Sequence, residues 1–196
     1  MKTLIIVDVQ YDFCLDGSLA VKGDFANLFD TINKLSNLKT FDLVAATQDW
    51  HPSNHISFAS THAAKPFEYC EKADQVVWPD HCIQGTRGSK LHIALDQNPI
   101  NFIVRKGMKI EADSYSAFID ADGVETGLHK LLDIGNEGSE IYICGIAADV
   151  CVYFTALDAL KYTNKVTVVQ NACIGTSAEA TNKAFKDLQE KGIMFI

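Results

Sequence analysis

Leu4-Ile5-Ile6-Val7-Asp8-Val9 is an apolar, largely β-branched run broken once, by an aspartate. Residues apolar at every position, rather than at alternate ones, read as a strand buried on both faces, the habit of parallel sheets. Outward from it the pattern repeats. Phe25, Leu28, Phe29, Ile32 and Leu35 recur at helical spacing within 25–38, and 41–47 reads as a second strand. Further strands are predicted at 100–105, 140–144, 165–170 and 192–196, and helices at 124–132, 149–162 and 177–191. Such alternation predicts an α/β fold of three layers, doubly wound, with a mostly parallel sheet of about six strands between helices.

The 196 residues fit one domain, 1–196, long enough to bury a core without disulfides or a structural metal. The net charge of −8 works against nucleic acid or an anionic membrane surface as partner, and leaves a small molecule as the expected ligand. No run approaches the roughly 18 apolar residues of a membrane span. The N-terminal apolar run reads as a buried strand and not as a signal peptide, so a soluble, cytoplasmic chain is expected. The six cysteines, at 14, 70, 82, 144, 151 and 173, have irregular spacing and no Cys-x-x-Cys pair, which predicts reduced thiols. A long polar stretch at about 50–99, carrying Pro52, Pro66, Pro79 and Pro99, reads as a functional loop region. No Gly-x-Gly-x-x-Gly follows the first strand, so NAD is not an expected ligand.

Ligands of open parallel sheets bind beyond the carboxyl ends of the strands. There the sequence sets Asp8 after the first strand, Asp49 and His51 after the second, Lys106 after the third and Cys151 after the fourth. Gly145-Ile146-Ala147-Ala148-Asp149-Val150-Cys151 reads as a strand end, a small-residue turn and a helix start capped by Asp149. A thiol in that first turn is expected to be shifted toward thiolate by the helix dipole, with the same N–H groups free for an oxyanion. Read alone, Cys151 is equally well a small buried hydrophobe, Asp8 a structural carboxylate and Lys106 a solvated lysine. Together an acid, a cation and a thiol are what an activated nucleophile requires. Asp49 and His51 share one face of an extended segment, and His81 adds a third donor. Two histidines and a carboxylate suit Zn²⁺, Fe²⁺ or Mn²⁺ with water completing the shell. His55 is a possible further ligand or a histidine bonded within its loop.

The chain resembles the nicotinamidases, or pyrazinamidases, of the isochorismatase-like hydrolase superfamily over nearly its whole length. The resemblance is carried by Val7-Asp8-Val9-Gln10-Tyr11-Asp12-Phe13-Cys14, Thr47-Gln48-Asp49-Trp50-His51-Pro52, His55-Ile56-Ser57-Phe58, Trp78-Pro79-Asp80-His81-Cys82, Arg105-Lys106-Gly107, Tyr115-Ser116-Ala117-Phe118 and Gly145 to Val152. It implies strand order 3-2-1-4-5-6, a catalytic triad of Asp8, Lys106 and Cys151, and one divalent metal, Zn²⁺ or Fe²⁺ with Mn²⁺ possible, on Asp49, His51 and His81. It also implies an oxyanion hole from the N–H groups of Ala147 and Cys151 and a cis peptide at Ile146-Ala147. Phe13, Trp78, Tyr115 and Ile146 are implied substrate contacts, and the implied reaction hydrolyses an aromatic carboxamide, nicotinamide, to nicotinate and ammonia within NAD salvage. The sequence departs from the family pattern at Tyr11, where Asn is common, and in the short spacing from His51 to His55.

Overall fold

The computed structural model describes residues 1–133 and 138–196. Its strands are β1 (Lys2–Val7), β2 (Leu43–Asp49), β3 (Tyr69–Cys70), β4 (Gln75–Val76), β5 (Phe102–Lys106), β6 (Glu140–Ile146), β7 (Val166–Ile174) and β8 (Met194–Phe195). Its helices are α1 (Phe25–Ser36), α2 (Ala59–His62), α3 (Leu128–Leu131), α4 (Cys151–Ala159) and α5 (Ala178–Glu190), with a 3₁₀ turn at Tyr11–Phe13. Six strands form one sheet in the order β5-β2-β1-β6-β7-β8, and every pairing in it is parallel. Counted along the sheet strands alone, this is the expected 3-2-1-4-5-6.

The unbroken apolar run from Leu4 to Val7 in β1 has the expected cause. Ile5 and Val7 point into a core shared with Val152 and Ala156 of α4 and Leu188 of α5, while Leu4 and Ile6 point into a second core with Leu28 and Ile32 of α1. Successive side chains alternate between faces, so a strand with helices on both sides is apolar throughout. α1 starts at Asp24, whose carboxylate accepts the Asn27 N–H at 3.0 Å, and α5 starts at Ser177, whose hydroxyl accepts the Ala180 N–H at 3.1 Å. These side chains take up backbone donors that the first helical turn leaves unpaired.

Two expectations for helices fail. The helix expected over 124–132 shrinks to the single turn α3. Ile119 bridges to Glu125 and Asp120 N–H donates to Val124 O at 2.9 Å, so the start of that span is a tight turn, with Gly123 and Gly127 both at positive φ. The second failure is at Asp149, which does not cap α4. Val150 occupies the N-cap with no side-chain hydrogen bond, and the Asp149 carboxylate instead accepts the Thr176 N–H at 2.7 Å and the Thr176 hydroxyl. Asp149 thus ties the start of α4 to the loop after β7.

The stretch between β2 and β5 is mostly irregular, holding only α2 and the antiparallel β3–β4 pair. Isolated bridges from His51 to Ile83 and from Phe58 to Trp78 fold it on itself, and a bridge from Leu91 to Gln10 ties it to the segment just past the carboxyl end of β1. No described helix is long and apolar enough to cross a membrane.

Candidate active site

The sheet order turns back between β1 and β6, and the reactive residues gather at that edge. Asp8 lies one residue past β1, Asp49 and Lys106 end β2 and β5, and Cys151 opens α4 beyond β6. Parallel register makes Asp49 and Lys106 direct partners across β2 and β5. From there the Lys106 chain reaches across the end of β2 toward β1. Its ammonium is hydrogen-bonded to Asp49 Oδ1, lies 2.9 Å from Asp8 Oδ2, donates to Ser114 O at 2.9 Å, and sits 3.7 Å from Cys151 Sγ. Asp8, Asp49, Lys106 and Cys151 are all buried.

Burial costs an ion several kcal/mol unless it is paired, so the charge states follow from who faces whom. Burial works against charge on Lys106, yet Asp49 and Asp8 beside it outweigh that and hold its ammonium well above the ordinary lysine range. For Asp49 burial pushes upward, and Lys106 with His51 and His81 overcomes it, holding the carboxyl below its usual range. Burial dominates at Asp8 and raises its carboxyl, against the pull of Lys106 and of the Thr47 hydroxyl, which donates to Asp8 Oδ1 at 2.6 Å. The Cys151 thiol is pushed well up by burial, with Lys106 opposing and Asp8 adding to the rise. This reverses the sequence expectation of a ready thiolate: desolvation outweighs the helix start. The resting pair is therefore a neutral thiol beside a carboxylate that is a better proton acceptor than an exposed aspartate.

The Ile146-Ala147 peptide is cis. Ala147 O accepts the N–H groups of Val150 and Val152, each at 3.0 Å, while those of Ala147 and Cys151 have no backbone acceptor among the described residues. Two donors are thereby left beside the thiol, as an oxyanion site requires.

Asp49, His51 and His81 each offer a donor atom within 4.8 Å of the others, and all three are buried. His51 Nδ1 is 2.8 Å from Gly107 O and His81 Nδ1 is 2.7 Å from Pro79 O, so both rings donate from Nδ1 and turn the Nε2 lone pair away from the backbone. His51 Nε2 is buried and has no hydrogen-bond partner among the described residues. Tautomers fixed by carbonyls, an orphaned lone pair and a carboxylate suit a divalent metal. Gly107 is what permits the His51 pose: its φ is +63°, and a Cβ there would lie 2.4 Å from His51 Cε1. His55 is differently engaged. Its Nδ1 faces the Ser57 hydroxyl at 2.7 Å and its Nε2 the Ala112 carbonyl at 3.1 Å, leaving no free nitrogen.

A cavity of about 880 Å³ opens over this edge. Phe13, Trp78 and Tyr115 line it together with Asp49, His81, Ala147 and Cys151. Ile146 does not line it; the side chain is fully buried in the core on the α1 side of the sheet. Phe67 and Asp113 are among the wall residues that the sequence reading missed. Phe67 is 63% exposed at the rim, its ring 6.1 Å from that of Trp78, and nothing in its local sequence distinguishes it. Asp113 is buried, and its signal was available as an acid two residues before Tyr115. Gln10 was also passed over: its amide clamps the backbone of Asp49, accepting the N–H and donating to the carbonyl, both at 2.8 Å.

The chain belongs to the isochorismatase family, whose domain model matches residues 2–196. It is 46% identical over 175 residues to the nicotinamidase of Acinetobacter baylyi, covering 87% of this chain and 79% of that one. Among solved structures it is similar to PnC1 from L. infantum in complex with nicotinate, with TM-score 0.87, 40% identity and coverage of 100% and 92% of the two chains. It is also similar to the pyrazinamidase of Pyrococcus horikoshii in complex with zinc, with TM-score 0.79, 31% identity and coverage of 100% and 98%.

Proposed function

We propose that this protein is a metal-dependent cysteine amidohydrolase that converts nicotinamide, and pyrazinamide as an alternative substrate, to nicotinate or its analogue and ammonia. The observation that carries the reading is the Cys151 thiol 3.7 Å from the Lys106 ammonium, which is itself 2.9 Å from Asp8, on the wall of an aromatic cavity. The nicotinamidase and nicotinate-bound relatives support the choice of carboxamide.

Asp8 takes the proton of Cys151 and becomes neutral, and Lys106 stabilises the thiolate so formed. Sulfur attacks the carboxamide carbon, and the oxygen of the tetrahedral adduct accepts from the N–H groups of Ala147 and Cys151. When the C–N bond breaks, Asp8 gives its proton to the departing nitrogen, ammonia leaves and a thioester remains. Asp8 then takes a proton from water, which attacks the thioester carbon; the C–S bond breaks, Asp8 returns that proton to the sulfur to restore the thiol, and the acid product leaves and ionises to its carboxylate. Phe13 and Trp78 would hold the flat ring, with Tyr115 closing the pocket. Asp49, His51 and His81 would hold one divalent ion, Zn²⁺ or Fe²⁺, which when bound supplies a Lewis-acidic anchor for the pyridine nitrogen. The zinc-bound pyrazinamidase supports the metal reading. The family match over 2–196 supports treating 1–196 as one hydrolase domain, and the reaction suits a cytoplasmic enzyme of NAD salvage.

The test is ammonia release from nicotinamide by wild type and Cys151→Ala, with metal analysis of the same samples. Wild type is expected to turn over and the variant to lose activity while keeping its metal. Substantial turnover by the variant would instead assign the attack to metal-bound water.

A further inference from the structure

Asp113 has a position that the reaction above does not use. Its side chain is buried in the cavity wall with Asp49, His81 and Cys151. Oδ1 accepts the Ser114 N–H at 2.8 Å, but Oδ2 is buried with no hydrogen-bond partner among the described residues. A carboxylate so placed is costly unless positive charge or a donor faces it. Lys106 does not serve, since its ammonium is engaged by Asp49, Asp8 and Ser114 O, and no described lysine or arginine pairs with Asp113.

What does lie near is the histidine cluster. A carboxylate oxygen of Asp113 and ring nitrogens of His51 and His55 fall within 4.8 Å of one another, and all three residues are buried. His55 spends both nitrogens on Ser57 and Ala112, so this trio does not make a second closed ligand set. The atoms left without a partner are Asp113 Oδ2 and His51 Nε2, both acceptors, so neither can satisfy the other directly. Asp113 groups with His51 but not with the Asp49, His51 and His81 set, which places it one step outside that set. The segment carrying it is also built into the site: Ala112 O meets His55 and Ser114 O meets Lys106.

We propose that Asp113 is a positioning residue of the metal centre, an outer carboxylate that retains the ion by accepting a hydrogen bond from water bound to it. The inference rests on Asp49, His51 and His81 being the metal ligands. Replacing a carboxylate that holds a metal's ligands or waters in place typically weakens metal binding about 10- to 100-fold.

The experiment titrates Zn²⁺ into chelator-stripped wild type, Asp113→Asn and Asp113→Ala against a chromophoric competitor, with melting curves of the stripped proteins as a check on folding. Both variants are expected to melt cooperatively and to bind Zn²⁺ about 10- to 100-fold more weakly than wild type. Co²⁺-loaded Asp113→Asn should keep the visible band intensity of wild type, because the ligand count is unchanged. Wild-type zinc affinity in Asp113→Asn would overturn the proposal, and so would altered cobalt intensities, which would make Asp113 a direct ligand. Equal loss of zinc affinity in Tyr115→Phe would also overturn it, assigning the effect to the neighbouring phenol. Failure of wild type itself to take up one Zn²⁺ would strike the metal reading beneath it instead.

Discussion

Asp49 and Lys106 are register partners at the carboxyl ends of β2 and β5, and their side chains close a buried ion pair. Because Lys106 also lies 2.9 Å from Asp8, one ammonium compensates two carboxylates. Replacing it with Met, of similar length, leaves both acids buried without their cation. Removing one partner of such a buried set costs about 3–5 kcal/mol. Lys106→Met is therefore expected to lower the urea midpoint sharply and to abolish ammonia release. A variant with wild-type stability would show that the two acids are neutral in the folded protein.

The second prediction concerns pH. Asp8 accepts a proton only when ionised, and burial raises its carboxyl above 3.8, the ordinary aspartate value. Activity is thus full above the raised value and is lost as pH falls through it, so the acid limb of kcat/KM lies higher than an exposed aspartate would set it. The Thr47 hydroxyl favours the charged form. Thr47→Val should move the limb to still higher pH, with less effect at the plateau. A limb that stays in place on this substitution would remove Asp8 from the titration that controls the rate.

Legibility in the sequence followed the range of the interaction. The strand at 4–9 could be read because burial on two faces writes itself into consecutive residues, and Asp8 stood out as the break in that run. Lys106 and Cys151 could be placed at the same edge because each follows a strand. What the sequence did not disclose depends on partners distant in the chain. Asp149 seemed a cap until Thr176, brought in by β7, took its carboxylate. The thiol seemed poised for ionisation until packing around α4 removed its solvent and pushed it the other way. Asp113 acquires meaning only from His51, which is 62 positions away in the chain. Short-range pattern reports the scaffold and the polar residues at its ends; desolvation and pairing at the site are set by the whole fold.

The third prediction tests how the backbone holds the metal donors. Gly107 follows Lys106 directly, has φ +63° and offers its carbonyl to His51 Nδ1 at 2.8 Å. An alanine there meets two obstacles. Its backbone conformation is disfavoured for any residue with a Cβ, and that Cβ would lie 2.4 Å from His51 Cε1 and 2.6 Å from Nδ1. The ring is itself buried, so it can yield only by giving up the Gly107 carbonyl that fixes its tautomer. Gly107→Ala is expected to cost about 1–3 kcal/mol in stability from the backbone strain. It should also lower zinc retention by more than Asp113→Asn does, because it displaces a ligand and not a carboxylate that meets the ion only through water. Metal content after gel filtration, read beside a melting curve, checks both parts. A variant that is destabilised yet keeps its full zinc would show that His51 can bind from a second pose, and that the carbonyl of Gly107 is not what aims it.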